Sequence, residues 1–531
     1  MKYRITALFM AVAMLLAALP IPANAATASA AAPCRQGSDI FLFSQDAAAW
    51  LDAGLHDGNS FIRNGYTLLY YLLWPGAKLV HVVGSAALFF SNLSFAPDLS
   101  KDAWYLKPPP ANAAEQLAVL PSERQIAHAA LEYYGFVHFG INTFMDAEWG
   151  TGREDPALFN PTGLDTDQWA KTMADAGMKG AILTAKHHDG FCLWPTAFSE
   201  HSVKNSPYKN GQGDIVKEFA DSCRKYGLKF GFYLSPWDMH EPTYGTGEAY
   251  DDFYKAQLRE LLTGYGEVTF VWLDGANGEG PNGKKQEYDR QSYFDLVREL
   301  QPNAVMCVMG PDVAWVGNEN GLANGNVSSI KGSAGSLRWA KSECDVSLRP
   351  GWFYHEDENP KTLGQLMHIY YNSVGMNCAL LLNVPPNKEG LFDQKDVDRL
   401  LEFRKEIDRI YASPVVPAIK PEASAILVDD ASSYAFSDDE YFLDFEFDTP
   451  RRVKHIVLSE DSNACSERMQ KAAVYAKWGP WLLKVGEAQS AGNKTIVRLG
   501  IGLFTPRAAS WRIVVEQSKA NPVLRYVGLY A

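Results

Sequence analysis

The chain has 531 residues, room for several domains, and its 47% hydrophobic and 21% charged content excludes wholesale disorder. Lys and Arg number 49 against 62 Asp and Glu, a formal net charge of −13 that argues against any nucleic acid partner, since phosphate binding needs surplus cations. The seven cysteines are odd in number and show no CxxC spacing, so neither a disulfide framework nor a zinc ribbon is expected.

Lys2 and Arg4 precede an apolar run, Ile5 to Leu19, and Ala23-Asn24-Ala25 is a small-x-small site. This predicts a signal peptide over 1–25 and export to the periplasm or the extracellular space. A membrane anchor is the alternative, but the run is short for a span and no stop-transfer charges follow. Residues 26–118 form an N-terminal extension of unassigned role. Its apolar stretch, Tyr66 to Phe90, is interrupted by Pro75, Gly76, Lys78, His81 and Gly84. A helical hairpin packed on the main domain is expected there, with a second membrane span or a loose extension as alternatives. Pro108-Pro109-Pro110 reads as a stiff linker.

Residues 119–412 alternate strand-like and helix-like segments. Strands are expected at Tyr134–Phe139, Lys179–Ala185, Lys229–Leu234, Glu267–Leu273, Ala304–Met309 and Ala379–Val384. Helices are expected at Asp165–Ala176, Asp214–Tyr226, Tyr250–Leu262 and Glu287–Leu300, with Gly177 and Gly227 as stops. Repeated βα units imply a parallel sheet. A doubly wound sheet would carry a Gly-rich loop after its first strand, where this chain has His138-Phe139-Gly140-Ile141-Asn142. The α/β class is therefore read as a (β/α)8-type barrel catalytic domain. Residues 413–531 show strands at Phe442–Phe447, Val453–Leu458, Ala473–Ala476 and Trp511–Glu516, and read as a C-terminal β-sandwich.

A barrel of this kind works at the C-terminal ends of its strands. His138 ends the first strand and Lys186-His187-His188-Asp189-Gly190 the second. Tyr233, followed by Ser235-Pro236-Trp237-Asp238, ends the third, and Trp272-Leu273-Asp274-Gly275 the fourth. Gly317-Asn318-Glu319 is placed in the loop after the fifth. No HxH or HExxH pattern accompanies the histidines, so hydrogen bonding to hydroxyls fits better than metal ligation, with a structural role for one of the adjacent pair left open. Asp274 follows an apolar strand, which suits a nucleophile or a strand-end cap. Glu319 is the natural second carboxylate, one helix and one strand further on, and two carboxylates on one pocket are the equipment of glycoside hydrolysis. Glu343 and Asp345, in a string that reads as another strand end, are alternative acids. The chain's 14 Trp and 25 Tyr supply rings that can stack on sugars, or simply fill a core.

The strings His138-Phe-Gly-Ile-Asn142, Glu148-Trp149-Gly150, Lys186-His-His-Asp-Gly-Phe191, Trp272-Leu-Asp-Gly275 and Arg349-Pro-Gly-Trp-Phe-Tyr354 resemble glycoside hydrolase family 29, the α-L-fucosidases. The resemblance covers about 119–412 strongly and the sandwich more weakly. It implies a retaining mechanism with Asp274 as nucleophile. Trp315-Val-Gly-Asn-Glu319 is similar to the subgroup acting on α-1,3 and α-1,4 fucosyl branches, which implies Glu319 as acid/base. The matching sugar-binding positions are His138, Glu148, Trp149, His187, His188, Tyr233 and Trp272. Trp315 could stack on a neighbouring sugar and Trp352 could wall the fucose methyl. The implied partners are fucosylated oligosaccharides or glycoconjugates, with no cofactor and no metal. A retaining α-L-galactosidase and a non-catalytic sugar-binding protein are the alternatives; both carboxylates are present, which counts against the second.

Overall fold

The computed structural model describes residues 93–95 and 108–531, apart from 326, 428–431, 439, 480 and 501–504. The expected signal peptide and the apolar stretch of the extension lie outside the described residues. Among the described residues no helix is long and apolar enough to cross a membrane.

Eight strands build one wholly parallel sheet: β1 (Tyr133–Val137), β2 (Gly180–Lys186), β3 (Lys229–Leu234), β4 (Phe270–Leu273), β5 (Val305–Val308), β6 (Val313–Trp315), β7 (Lys341–Ser347) and β8 (Ala379–Asn383). The hydrogen-bonded order is β5-β4-β3-β2-β1-β8-β7-β6, so the cylinder is nearly closed and stays unpaired only between β5 and β6. At that seam Asp312 does a neighbouring strand's work: its carboxylate accepts from the Met306 N–H at 2.9 Å and is neutralised by Arg124 and Arg298.

Six helices cover the outside: α1 (Thr166–Asp175), α2 (Ile215–Lys225), α3 (Glu248–Gly264), α4 (Arg290–Leu300), α5 (Leu363–Asn372) and α6 (Gln394–Tyr411). Asp165 and Asp214 cap α1 and α2, Asp165 accepting from the Asp167 and Gln168 N–H groups and Asp214 from that of Lys217. Gly177 and Gly227 end their helices at φ of +83° and +73°, a region that favours glycine. The strands and helices expected from periodicity are all present within a few residues. The sequence reading passed over β6, α5 and α6. It also took Ser342–Asp345 for a strand end, whereas Glu343 and Asp345 lie within β7. Among the described residues no helix joins β5 to β6 or β6 to β7, so the βα alternation that reveals the other units is missing there.

Strand alternation sorts the core into two layers. Tyr134, Phe136, Ile182, Tyr233, Phe270, Trp272, Val305, Cys307, Ala379 and Leu381 fill the barrel, while Leu183, Phe232, Val271, Val346 and Leu382 face the helices. Register pairs Glu343 with Ala379 and Asp345 with Leu381, so both acids share the inward parity.

Beyond α6 the chain forms two antiparallel sheets. The larger holds Phe442–Arg452, Met469–Trp478, Trp481–Ala488 and Arg507–Ser518, with Leu93–Phe95 on its edge. The smaller holds Tyr434–Ala435, His455–Glu460, Thr495–Arg498 and Val523–Tyr530. This is the expected β-sandwich, tied to the barrel by Lys494–Glu132 at 2.7 Å and Asn377–Glu467 at 2.8 Å.

The loop from β7 to α5 is built on Arg349, which is fully buried. Its Nε donates to Asp396 of α6 at 2.7 Å, one terminal nitrogen donates to the carbonyls of His355 and Glu358, and the guanidinium lies 4.4 Å from the Tyr354 ring centre. Removing one partner of a buried pair leaves the other charge uncompensated. Arg349→Ala is therefore expected to lose about 3–5 kcal/mol of stability, measured by urea unfolding.

Candidate active site

Asp274 stands immediately after β4. Its Oδ1 accepts from the Ala276 N–H at 2.8 Å and its Oδ2 from the Tyr233 hydroxyl at 2.8 Å. His188 Nε2 is 3.8 Å from Oδ2, and the side chain is 22% exposed. Among the described residues no Lys or Arg pairs with this carboxylate, so neutral donors hold it while one side stays open to solvent. Burial, then the charge of Asp274, pushes the Tyr233 hydroxyl well above its ordinary pKa, so it remains a donor.

The three histidines converge as expected. His138 takes a hydrogen bond network from Asn383, the last residue of β8. Asn383 Nδ2 donates to Ser347 Oγ and to the Trp352 carbonyl, so its Oδ1 is the acceptor that faces His138 Nδ1 at 2.9 Å. His138 thus carries its proton on Nδ1 and keeps a lone pair on Nε2. His188 Nδ1 lies 2.7 Å from Ser235 Oγ, which itself donates to the Trp237 carbonyl, so His188 too is the donor through Nδ1. His187 stacks on Tyr233 at 5.7 Å and 18°. Burial lowers all three pKa values, His138 to about 3 and His187 well below its ordinary value; for His188 the charge of Asp274 opposes the fall. The histidines therefore work as neutral hydrogen-bonding groups. Among the described residues no three His, Cys, Asp or Glu side chains are grouped to hold a metal ion.

Aromatic rings wall the mouth. Trp272 stacks on Tyr233 at 5.2 Å, but its Nε1 points its proton at Glu343, 2.9 Å away. Trp352 lies 5.0 Å from the His138 ring, and Trp149, 65% exposed, is edge-on to His188 at 6.3 Å. Trp237, named in the third strand-end string but not among the sugar-binding positions, packs on His188 at 4.7 Å and Trp149 at 6.0 Å. Asn383 was passed over; its only signal is its place at a strand end.

Three expectations change in detail. Glu319 is in the loop after the sixth strand, not the fifth, because the sequence reading missed β6. Glu319 reaches the mouth through Trp352, whose Nε1 donates to its Oε2 at 3.3 Å. Glu148 spends both oxygens within the protein, accepting from the backbone N–H groups of Trp352 and Phe353 and lying 2.8 Å from His355 Nε2. It clamps the loop that carries Trp352. Trp315, 41% exposed, sits at the end of β6 with its Nε1 donating to Asp345 at 2.7 Å.

An almost closed parallel barrel whose strand ends gather two carboxylates, neutral histidines and an aromatic rim has the build of a glycoside hydrolase. The family model for alpha-L-fucosidase matches residues 116–406. The chain is 38% identical over 479 residues to alpha-L-fucosidase 1 of Arabidopsis thaliana, covering 83% of this chain and 92% of that protein. A glycoside hydrolase 29 member from a rumen bacterium superposes with a TM-score of 0.69 at 36% identity, covering 78% of this chain and 77% of that one. A Ruminococcus gnavus GH29 fucosidase, solved in complex with fucose, gives 0.70 at 28% identity, with 83% and 98% covered. The chain belongs to the alpha-L-fucosidase family of glycoside hydrolases, family 29.

Glu343 is fully buried, and its carboxylate accepts from both Tyr134 and Trp272, so it has no path to a leaving group. Glu343→Gln is expected to lower stability by about 1–3 kcal/mol, because one acceptor becomes a donor facing a donor. Its kcat/KM should stay within about tenfold, and added azide should not change it, which chemical denaturation and steady-state kinetics will check.

Proposed function

We propose that this enzyme removes terminal α-L-fucose with retention of configuration, through a covalent fucosyl-enzyme, from α-1,3 and α-1,4 branches of oligosaccharides or glycoconjugates. The observation that carries the reading is the state of Asp274: a partly exposed carboxylate at a strand end, held by two neutral donors and by no cation among the described residues. Such a group keeps its nucleophilicity and its access to a sugar.

In the proposed cycle Asp274 attacks the anomeric carbon while Glu319 protonates the departing oxygen. Glu319 then takes a proton from the water that releases fucose. The lone pair on His138 Nε2, together with His187 and His188, meets ring hydroxyls. Trp272, Tyr233 and Trp352 supply the apolar wall that a 6-deoxy sugar needs. Trp149, Trp237 and Trp315 are left for the remainder of the glycan. The proposed site of action is the periplasm or the cell exterior, on the strength of residues 1–25.

The carboxylates are tested by substitution. Asp274→Ala is expected to lose several orders of magnitude in kcat/KM with an unchanged unfolding midpoint, and retention of a tenth of the activity would overturn the assignment. Glu319→Ala should suffer less on an aryl fucoside than on a natural glycan, and azide should rescue its deglycosylation. Equal losses without rescue would remove Glu319 from the acid/base role.

Linkage preference is tested by the ratio of kcat/KM for a Lewis-type trisaccharide over an α-1,2-fucosyl-galactose. The Trp315–Glu319 loop should make that ratio well above one, because contacts to the neighbouring galactose add transition-state binding. A ratio near or below one would sink the branched-acceptor reading while leaving the fucosidase reading intact.

A further inference from the structure

His187 and Asp189 lie two positions apart after β2, and nothing above gives Asp189 a task. The His187 Nδ1 is buried and has no hydrogen-bond partner, while Asp189 Oδ2 stands 4.0 Å from it. The His187 side chain is 10% exposed as a whole, so its accessible part lies away from Nδ1. Asp189 is 2% exposed. Its Oδ1 accepts from the Phe191 N–H at 2.7 Å and its Oδ2 from Asn142 Nδ2 at 3.0 Å. Among the described residues no Lys or Arg pairs with it, and the nearby Lys186 is committed to Asp238 at 2.7 Å. Asn142 and Glu154 crowd the same place: a Cβ at Gly150 would lie 2.8 Å from Asn142 Oδ1, 2.8 Å from Asp189 Cβ and 3.1 Å from Glu154 Oε1. Asn142 Oδ1 and Glu154 Oε2 are also buried without partners.

We propose that Asp189 is a positioning residue that holds the His187 proton on Nδ1, so that Nε2 presents a lone pair to a sugar hydroxyl. This rests on the reading of His187 as a sugar-binding residue. The proton of a neutral imidazole sits on the nitrogen whose neighbour accepts it. A closure of about 1 Å, or one bridging water, completes the bond from Nδ1 to Asp189. Ionised, Asp189 offers only lone pairs; protonated, it would turn an O–H toward His187 Nδ1 and reverse the arrangement. Burial pushes its carboxyl up to about 7; the Phe191 N–H opposes the rise, and the charges of Glu154 and Asp238 add to it. His188 and His138 face His187 and are themselves neutral. Positioning is therefore present above pH 7 and is lost as the pH falls through that value.

The isosteric change Asp189→Asn inverts the arrangement. Its amide oxygen still accepts from the Phe191 N–H, and Asn142 can turn its free Oδ1 toward the new NH2 group. That NH2 then faces His187 Nδ1 as a donor and drives the proton to Nε2, where an acceptor is needed.

The experiment is a double-mutant cycle on an aryl α-L-fucoside with Asp189→Asn and His187→Phe, each followed from pH 5 to 8.5, with unfolding midpoints measured alongside. The expected result has two parts. Asp189→Asn costs about tenfold in kcat/KM, mostly in KM, yet less than twofold in the His187→Phe background, since a lost hydroxyl contact is worth roughly that much. The fall in wild-type kcat/KM below pH 7 is also flattened in the variant. Equal factors in both backgrounds, or an unchanged pH profile, would overturn the dyad alone. A silent His187→Phe would overturn both the dyad and the sugar-binding role of His187. Asp189→Ser, which also removes the carboxylate, replaces Asp189→Asn if the amide variant does not fold and must show the same background dependence.

Discussion

A carboxylate sealed inside a barrel has to be satisfied by donors, and Glu343 is such a group. Its two oxygens are taken by the Tyr134 hydroxyl and the Trp272 indole. Burial raises its pKa while both donors oppose the rise, and those same donors become fixed in place. Trp272 is thereby held against Tyr233, and Tyr233 hydrogen-bonds Asp274. The site at the strand ends is set through a line of contacts that begins in the middle of the barrel. An apolar residue at 343 would fill the same space but would leave the indole of Trp272 free to turn.

The rim obeys the same rule with backbone as the partner. Glu148 crosses from the loop after β1 to accept two N–H groups beside Trp352, and Asn383 ties β8 to His138, Ser347 and the Trp352 carbonyl. Arg349 anchors the far side of that loop to α6. Three polar side chains from three elements therefore decide where one tryptophan stands. Loop backbone that would otherwise be unpaired is satisfied in the process.

Electrostatically, burial keeps the histidines of the pocket neutral. Neutral imidazoles accept and donate without drawing the pair of acids into salt bridges. This fits a reaction in which a positive centre develops on the sugar and a negative oxygen must be near it.

The sequence by itself determined the barrel class, most of its βα units and the place of Asp274, because helix and strand periods, caps and glycine stops are local signals. His138, His187, His188, Tyr233 and Trp272 were legible for the same reason: each ends a strand whose apolar run is plain, and a parallel barrel brings all such ends to one face. The tertiary structure decided what lies between β5 and β8. β6 is three residues long and β7 alternates polar residues inward, so neither shows an apolar run, and among the described residues no helix separates them. That hid β6, moved Glu319 one strand along and turned Glu343 and Asp345 from strand-end acids into interior groups. It also decided that Glu148 binds backbone and that Trp272 aims its indole at Glu343. Those partners lie some seventy to two hundred positions away, and a hydrogen bond across such a distance is chosen by folding geometry, which no local pattern encodes.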